Sequence, residues 1–73
     1  MEKREILFKD VLKIFLEENN LTQTKFAQTV GIQQSQVSEW LKGKASPGFY
    51  MLRQICLAFN VSADYFLGLT NVY

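Results

Sequence analysis

The amino-acid sequence predicts an all-α fold, a compact bundle of five short helices. Apolar residues recur at the three- and four-residue spacing of helices through most of the 73-residue chain. Glycine or asparagine follows several of these segments, where the left-handed conformation that ends a helix is needed. No segment alternates apolar and polar residues as a half-buried strand does. Because a chain of this length builds one core, we predict a single domain over residues 1–73, with a short tail at 69–73.

Helix one is predicted over about residues 4–19, where apolar residues lie at helical spacing and neither Gly nor Pro interrupts. Beside this stripe runs a second apolar line, which consists of Leu7, Val11 and Ile14. The line widens the apolar face beyond what one small core needs. We expect either the C-terminal segment, including Val72 and Tyr73, or a second subunit to cover it.

Helices two and three are predicted from their capping residues. Thr22 is a good N-cap for a helix over about residues 23–30, and Gly31 suits the left-handed conformation at its end. After this corner, helix three covers about residues 33–42 and ends at Gly43. The connection between the two helices is therefore short and sharply bent.

Helices four and five complete the predicted bundle. Helix four covers about residues 49–59, with an inward face formed by Phe49, Leu52, Ile55, Cys56 and Phe59. A short helix five begins after Ser62 and ends at Gly68. We interpret Cys56 as a small buried hydrophobe, since it lies between apolar neighbours inside a helix.

The composition excludes several classes of function. Histidine is absent and Cys56 is the only cysteine, so neither an intrachain disulfide nor a zinc site of the usual Cys/His kind is possible. The carboxylates are scattered over separate predicted helix faces, so no catalytic constellation can be assembled. We expect no enzyme activity, metal, cofactor or small-molecule substrate. No apolar run reaches the ~20 residues of a membrane span or resembles a secretion signal, so we expect a cytoplasmic protein.

The formal net charge is only +1, but the charges are unevenly distributed. Residues 19–53 carry four cations against one carboxylate, whereas residues 1–18 carry four against five, and residues 54–73 carry a single carboxylate. An anionic partner is therefore expected at the middle of the chain. The near-neutral total is weak for a nucleic-acid binder, for which a domain pI above ~9 is usual.

The outward face of helix three is rich in small hydrogen-bonding side chains. With Val37 and Trp40 turned inward, a rotation of ~100° per residue turns outward Ser35, Ser38, Glu39 and Lys42, with Gln34 at the exposed N-terminal flank. Glutamine can bond adenine N6 and N7 together, serine can donate or accept, and a carboxylate accepts from cytosine N4. A merely solvated face is the alternative, but two short helices joined by a Gly-containing corner favour a DNA-reading helix-turn-helix over residues 22–42.

The stretch LTQTKFAQTVGIQQSQVSEWLKGK resembles the helix-turn-helix of the phage repressor and Cro family, also called the Xre-like family. The later PGFYMLRQICLAFNVSADYFLGL resembles that family's fourth and fifth helices, so about residues 8–68 are covered. The resemblance implies a lambda-repressor-like domain that binds double-stranded DNA as a homodimer. By position, it implies phosphate binding by Gln23, base reading by Gln34, Ser35 and Glu39, and backbone contacts by Lys42 and Lys44. Together with the helix geometry, the base-reading candidates are Gln34, Ser35, Ser38 and Glu39, and the backbone-binding candidates are Thr22, Gln23, Gln33, Lys42 and Lys44.

Two features depart from the family pattern. Many members place an arginine where this chain has Leu16 and a glutamate where it has Leu41, and these form an ion pair between helices one and three. Replacing both partners of a buried ion pair by apolar residues is often neutral or stabilising, so we predict that Leu16 touches Leu41. Positive charge is also scarce: ~4–6 phosphates neutralised by a dimer give a salt slope of about −4 to −5.

The predicted function is sequence-specific binding of double-stranded DNA by a prokaryotic or phage transcriptional regulator, a repressor that occupies a palindromic operator as a homodimer. Dimer contacts are expected at the end of helix five, around Tyr65 and Leu69, or else on the helix-one line. The alternative is a protein-interaction module or antitoxin-type partner that uses the same fold with little or no DNA readout, which the near-neutral charge favours. Salt-dependent binding to duplex DNA distinguishes the two.

Overall fold

The structure, a computed structural model, describes residues 6–73 and is helical without strands in that range. The helices are α1 (Phe8–Glu18), α2 (Gln23–Val30), α3 (Gln34–Leu41), α4 (Phe49–Phe59) and α5 (Ala63–Phe66). The predicted all-α, five-helix fold is confirmed. The predicted bounds of α2 and α4 are also those observed, and the predicted ends of α3, residues 33 and 42, are its two capping residues.

Helix α1 is shorter than the predicted range of 4–19. Residues 4 and 5 lie outside the described part of the chain, and Leu7 is the N-cap, with an extended backbone at φ −82° and ψ 149°. The helical spacing of apolar residues therefore includes Leu7, although the helix begins only at Phe8. Such spacing does not determine the exact first residue of a helix. Asp10 lies in the first turn, where a carboxylate interacts favourably with the positive end of the helix dipole.

Aromatic rings join the helices at the centre of the molecule. The ring centroid of Phe15 in α1 lies 6.3 Å from that of Phe26, 5.3 Å from that of Phe59 and 5.2 Å from that of Phe66. All three pairs are edge-to-face, a geometry that adds about 0.5–1.5 kcal/mol per pair to the burial of the rings. One buried residue thus connects α1 to α2, α4 and α5.

The prediction that Phe49 faces the core is wrong, since its side chain is 96% exposed. The inward direction of α4 is set by Ile55, which is fully buried. At ~100° per residue, Phe49 lies about 120° around the helix from Ile55, so it projects away from the core. The helical spacing of apolar residues predicted the range of α4 correctly. It did not predict which of these apolar residues the other helices cover.

The C-terminal segment folds back against α1 and α5. The backbone N–H of Ser62 donates to the carbonyl oxygen of Tyr73 at 2.9 Å. The Tyr73 ring packs edge-to-face on Phe15 and Tyr65, and its hydroxyl donates to Glu18 Oε1 at 2.8 Å. Tyr73 therefore attaches the tail to the core.

The helix-one line of Leu7, Val11 and Ile14 is covered only in part. Val11 is buried, whereas Leu7 and Ile14 remain about half exposed. Val72, which was expected to cover this line, is itself 70% exposed. Leu7 and Ile14 therefore leave part of this apolar line accessible.

Two further expectations concern the core. Leu16 is buried and Leu41 is a partly buried residue packed against the same cluster, and α1 packs on α3. These positions agree with the predicted touch between Leu16 and Leu41, which stays a prediction. Cys56 is half-buried against the core, and desolvation raises the pKa of its thiol, as suits a small hydrophobic residue.

Candidate nucleic-acid interface

The start of α2 is fixed by its N-cap. Thr22 has an extended backbone, and its Oγ1 accepts a hydrogen bond of 3.0 Å from the backbone N–H of Lys25. This bond satisfies one of the amides that the first turn of a helix leaves unpaired. Thr22 is exposed, and Gln23, the first residue of the helix, is partly exposed. Both backbone-binding candidates of α2 therefore lie at the accessible, positive end of the helix dipole.

The corner between α2 and α3 is built on Gly31. Its backbone is left-handed, with φ 90° and ψ 33°, a conformation that glycine adopts without the steric cost of a Cβ. The N–H groups of Gly31 and Ile32 both donate to the carbonyl oxygen of Ala27, at 2.8 and 2.9 Å. Ile32 then packs against the core, which fixes the direction in which α3 leaves the corner.

Helix α3 is anchored by two side chains and exposes most of the others. Val37 is fully buried and Trp40 is 4% exposed. The side chains of Gln34, Ser35 and Glu39 are exposed, and that of Ser38 is partly exposed. No part of the described chain covers the predicted base-reading side of the helix. Gln33 is the N-cap, and since its side chain makes no capping hydrogen bond, it too is available to a partner.

A hydrogen bond between two glutamines ties the first turns of α2 and α3 together. Gln34 Nε2 donates to Gln23 Oε1 at 2.6 Å. This arrangement leaves Gln34 with its own amide oxygen and one N–H, and leaves Gln23 with both of its N–H groups. Both residues were predicted to lie in the interface, but their hydrogen bond was not predicted, because it depends on the angle between the helices.

The loop after α3 carries the two predicted backbone-binding lysines. Lys42 is the C-cap of α3, and the N–H of Lys44 donates to the carbonyl oxygen of Glu39 at 3.1 Å. Gly43 between them has a positive φ of 77°. Both lysine side chains are exposed.

Lys9 of α1 lies beside this loop, a position that the sequence analysis missed. A Cβ added at Gly43 would come within 3.1 Å of Cδ and 3.6 Å of Nζ of Lys9. Lys9 belongs to the slightly acidic segment of residues 1–18, where no anionic partner was expected. The one sequence feature related to this contact was Gly43 in a basic loop. A glycine permits the close approach of another side chain but does not identify that side chain.

Within residues 6–73, no group of three or more His, Cys, Asp or Glu side chains is placed to hold a metal ion. None of the helices in this range is long and apolar enough to cross a membrane.

The fold and this surface define a helix-turn-helix domain, and comparison with known proteins agrees. The helix-turn-helix family model matches residues 12–66, which is more than half of the chain. This chain therefore belongs to the helix-turn-helix family, of the phage repressor and Xre-like type, whose members are DNA-binding transcriptional regulators and are typically not enzymes.

Two solved structures share the fold. The P22 c2 repressor protein, in complex with a synthetic operator, superposes with a TM-score of 0.78 at 20% identity, over 90% of this chain and 100% of that one. A transcriptional regulator from Listeria innocua superposes with a TM-score of 0.75 at 22% identity, over 89% of this chain and 63% of that one. No curated protein sequence matches this chain.

Proposed function

We propose that this protein is a transcriptional repressor of the cytoplasm that binds a palindromic operator as a homodimer, with α3 in the major groove. The observation that carries the proposal is the exposed polar side of α3, held outward by buried Val37 and Trp40. Residues 1–73 act as a single DNA-binding domain. The P22 c2 repressor, similar in fold, was crystallised with a synthetic operator, which supports the same class of ligand here.

Gln34 is the principal base-reading residue in this proposal. Recognition of adenine by glutamine uses one N–H toward N7 and the amide oxygen toward N6. Both groups remain free on Gln34 after its bond to Gln23, and that bond holds the amide in one orientation. Ser35 and Ser38 add short donor or acceptor groups, and Glu39 accepts from a cytosine N4.

The backbone contacts surround this reading surface. Gln23 has two free N–H groups at the positive end of α2, and Thr22 lies beside it, so a phosphate is favoured there. Lys42 and Lys44 provide positive charge at the opposite end of α3, and Gln33 provides an amide at its start. These contacts orient the domain on the duplex without distinguishing sequences.

The homodimer is expected to form through an apolar groove of about 260 Å³. Its walls combine both of the predicted dimer regions, Ile14 on α1 and Leu69 after α5. Tyr65 lines the groove but is only 5% exposed, so it offers a partner little surface, and its part in the dimer stays a prediction. Leu69, which is 72% exposed, stays the preferred contact.

A protein-interaction module that uses the same fold is the second candidate. The exposed Phe49 and Tyr50, at 96% and 70%, favour it because exposed aromatic side chains are common at protein interfaces. Such a module would bind duplex DNA weakly and without a salt slope.

Selection from random duplexes, followed by substitution, tests the proposal. We expect enrichment of a palindrome whose half-sites lie about one helical turn apart. Gln34→Ala should then cost about 1–3 kcal/mol at particular base pairs, whereas the control Lys44→Ala should weaken binding to all sequences alike. An unchanged base preference in Gln34→Ala would refute the assignment of Gln34, and failure to enrich any duplex would refute DNA binding.

A further inference from the structure

Three lysines from two separate parts of the chain surround one groove. The groove has a volume of about 470 Å³ and is lined by Lys9 of α1 and by Lys42 and Lys44 after α3. The remaining lining residues are Leu7, Phe8, Trp40, Gly43, Ala45 and Ser46. Among the residues that the structure describes, 6–73, no carboxylate lines the groove, so this part of its wall carries three cations and no anion.

The stem of Lys9 is positioned by Gly43. The Cδ of Lys9 lies so near Gly43 that a Cβ there would approach to 3.1 Å, and the positive φ of 77° at Gly43 also favours glycine. Lys9 is partly buried, and its Nζ lies beside the loop. A lysine that is already ordered loses less conformational entropy when it binds an anion.

We propose that Lys9 completes a phosphate-binding groove with Lys42 and Lys44, and that its ligand is a backbone phosphate of duplex DNA next to the bases that α3 reads. The inference rests on the proposed function, because it extends the same interface onto α1. Three cationic side chains around one open groove give it a positive potential, which favours a phosphate there.

The salt dependence of DNA binding tests this role of Lys9. Each phosphate contact contributes about 0.9 to the slope of log K against log salt, so Lys9→Gln should make the slope of a dimer less negative by about 1.8. Between 50 and 200 mM salt, the unchanged protein should therefore lose about tenfold more affinity than the variant does. Lys9→Arg keeps the charge and should keep the slope.

Lys13→Gln is the matched control. Lys13 lies one turn further along α1, is exposed and carries the same charge, but does not line the groove. It should leave the slope unchanged. An equal change of slope in Lys9→Gln and Lys13→Gln would mean that only net charge matters, and would overturn the proposal.

Neutral methylphosphonate linkages placed singly along the selected operator locate the ligand. One position should weaken the unchanged protein but have little further effect on Lys9→Gln, because the variant has already lost that contact. If the unchanged protein binds the operator and no linkage shows this non-additivity, Lys9 does not bind phosphate, while the proposed function stands. If the unchanged protein binds no duplex, the proposed function fails first.

Discussion

Helices α3 and α4 follow each other in the chain and each buries one face, yet they expose opposite chemistry. The outward side of α3 presents Gln34, Ser35 and Glu39, whereas α4 presents Phe49, Tyr50 and Leu57, which is 64% exposed. Polar groups on α3 are hydrogen-bonded to water in the free protein, so a partner gains little energy there unless it replaces each bond. Apolar groups on α4 gain energy from burial alone, about 25 cal/mol per Å², with little directional preference. The exposed side of α3 therefore suits the recognition of one particular partner, and the exposed side of α4 suits less specific binding.

The largest expected effect comes from the comparison of two alanine variants, one that removes a buried ring from α3 and one that removes an exposed ring from α4. Trp40→Ala removes a side chain that is 4% exposed and stacks edge-to-face on Phe8 at 6.0 Å, so it should lower the free energy of unfolding by about 3–5 kcal/mol. Phe49→Ala removes a ring that is 96% exposed and should change it by less than about 0.5 kcal/mol. Urea denaturation followed by far-UV circular dichroism measures both. Similar losses in the two variants would show that Phe49 is covered in solution, and the contrast between the helices would disappear.

A smaller effect is expected at the two glycines that precede these helices. Gly31→Ala places a Cβ on a left-handed residue, which should cost about 1–2 kcal/mol although nothing lies within 4 Å of that Cβ. Gly48 also has open space, but its φ of −75° is accessible to any residue. Gly48→Ala should therefore change stability by less than about 0.5 kcal/mol, since the entropy it removes from the unfolded chain offsets the poorer N-cap.

Thermal or urea unfolding of the two glycine variants gives the comparison directly. Because the free volume is alike at both positions, a difference in stability would isolate the backbone conformation. Equal costs would mean that the entrance to α3 is no more constrained than the entrance to α4.

The same contrast explains what the sequence could predict. The ends of α2 and the end of α4 depend on local chemistry, a threonine cap at Thr22 and left-handed residues at Gly31 and Asn60, and these were predicted correctly. The outward direction of α3 was predictable because the large apolar residues of that helix, Val37, Trp40 and Leu41, lie on one side of it. The signals lie within a few residues of the feature that they determine.

Features that join distant parts of the chain were not predictable in this way. The exposure of Phe49 depends on which side of α4 the other helices cover, and the bond between Gln23 and Gln34 depends on the angle between α2 and α3. The approach of Lys9 to Gly43 depends on the packing of α1 against the loop after α3. Each of these three features requires knowledge of the tertiary structure. The spacing of apolar residues predicts the fold but not the individual contacts between distant residues.

The smallest effect that we expect is at Tyr65 in α5, the helix that follows α4. Its ring is buried against Tyr73 of the C-terminal tail. Burial, together with smaller contributions from the nearby Tyr73 and Glu18, raises the pKa of Tyr65 to about 12. The unfolded chain releases this proton near the usual tyrosine pKa of ~10, whereas the folded protein holds it to higher pH. The stabilisation is therefore complete below pH ~10 and is lost as the pH rises toward 12.

Urea midpoints at pH 9 and 11 measure this loss, and Tyr65→Phe should reduce it because the variant has no phenol to ionise at that position. Tyr73 adds to the residual dependence, since its hydrogen bond to the Glu18 carboxylate also raises its pKa. A midpoint equally sensitive to pH in Tyr65→Phe and in the unchanged protein would exclude Tyr65 as the group responsible. It would also mean that water reaches Tyr65 beneath the tail.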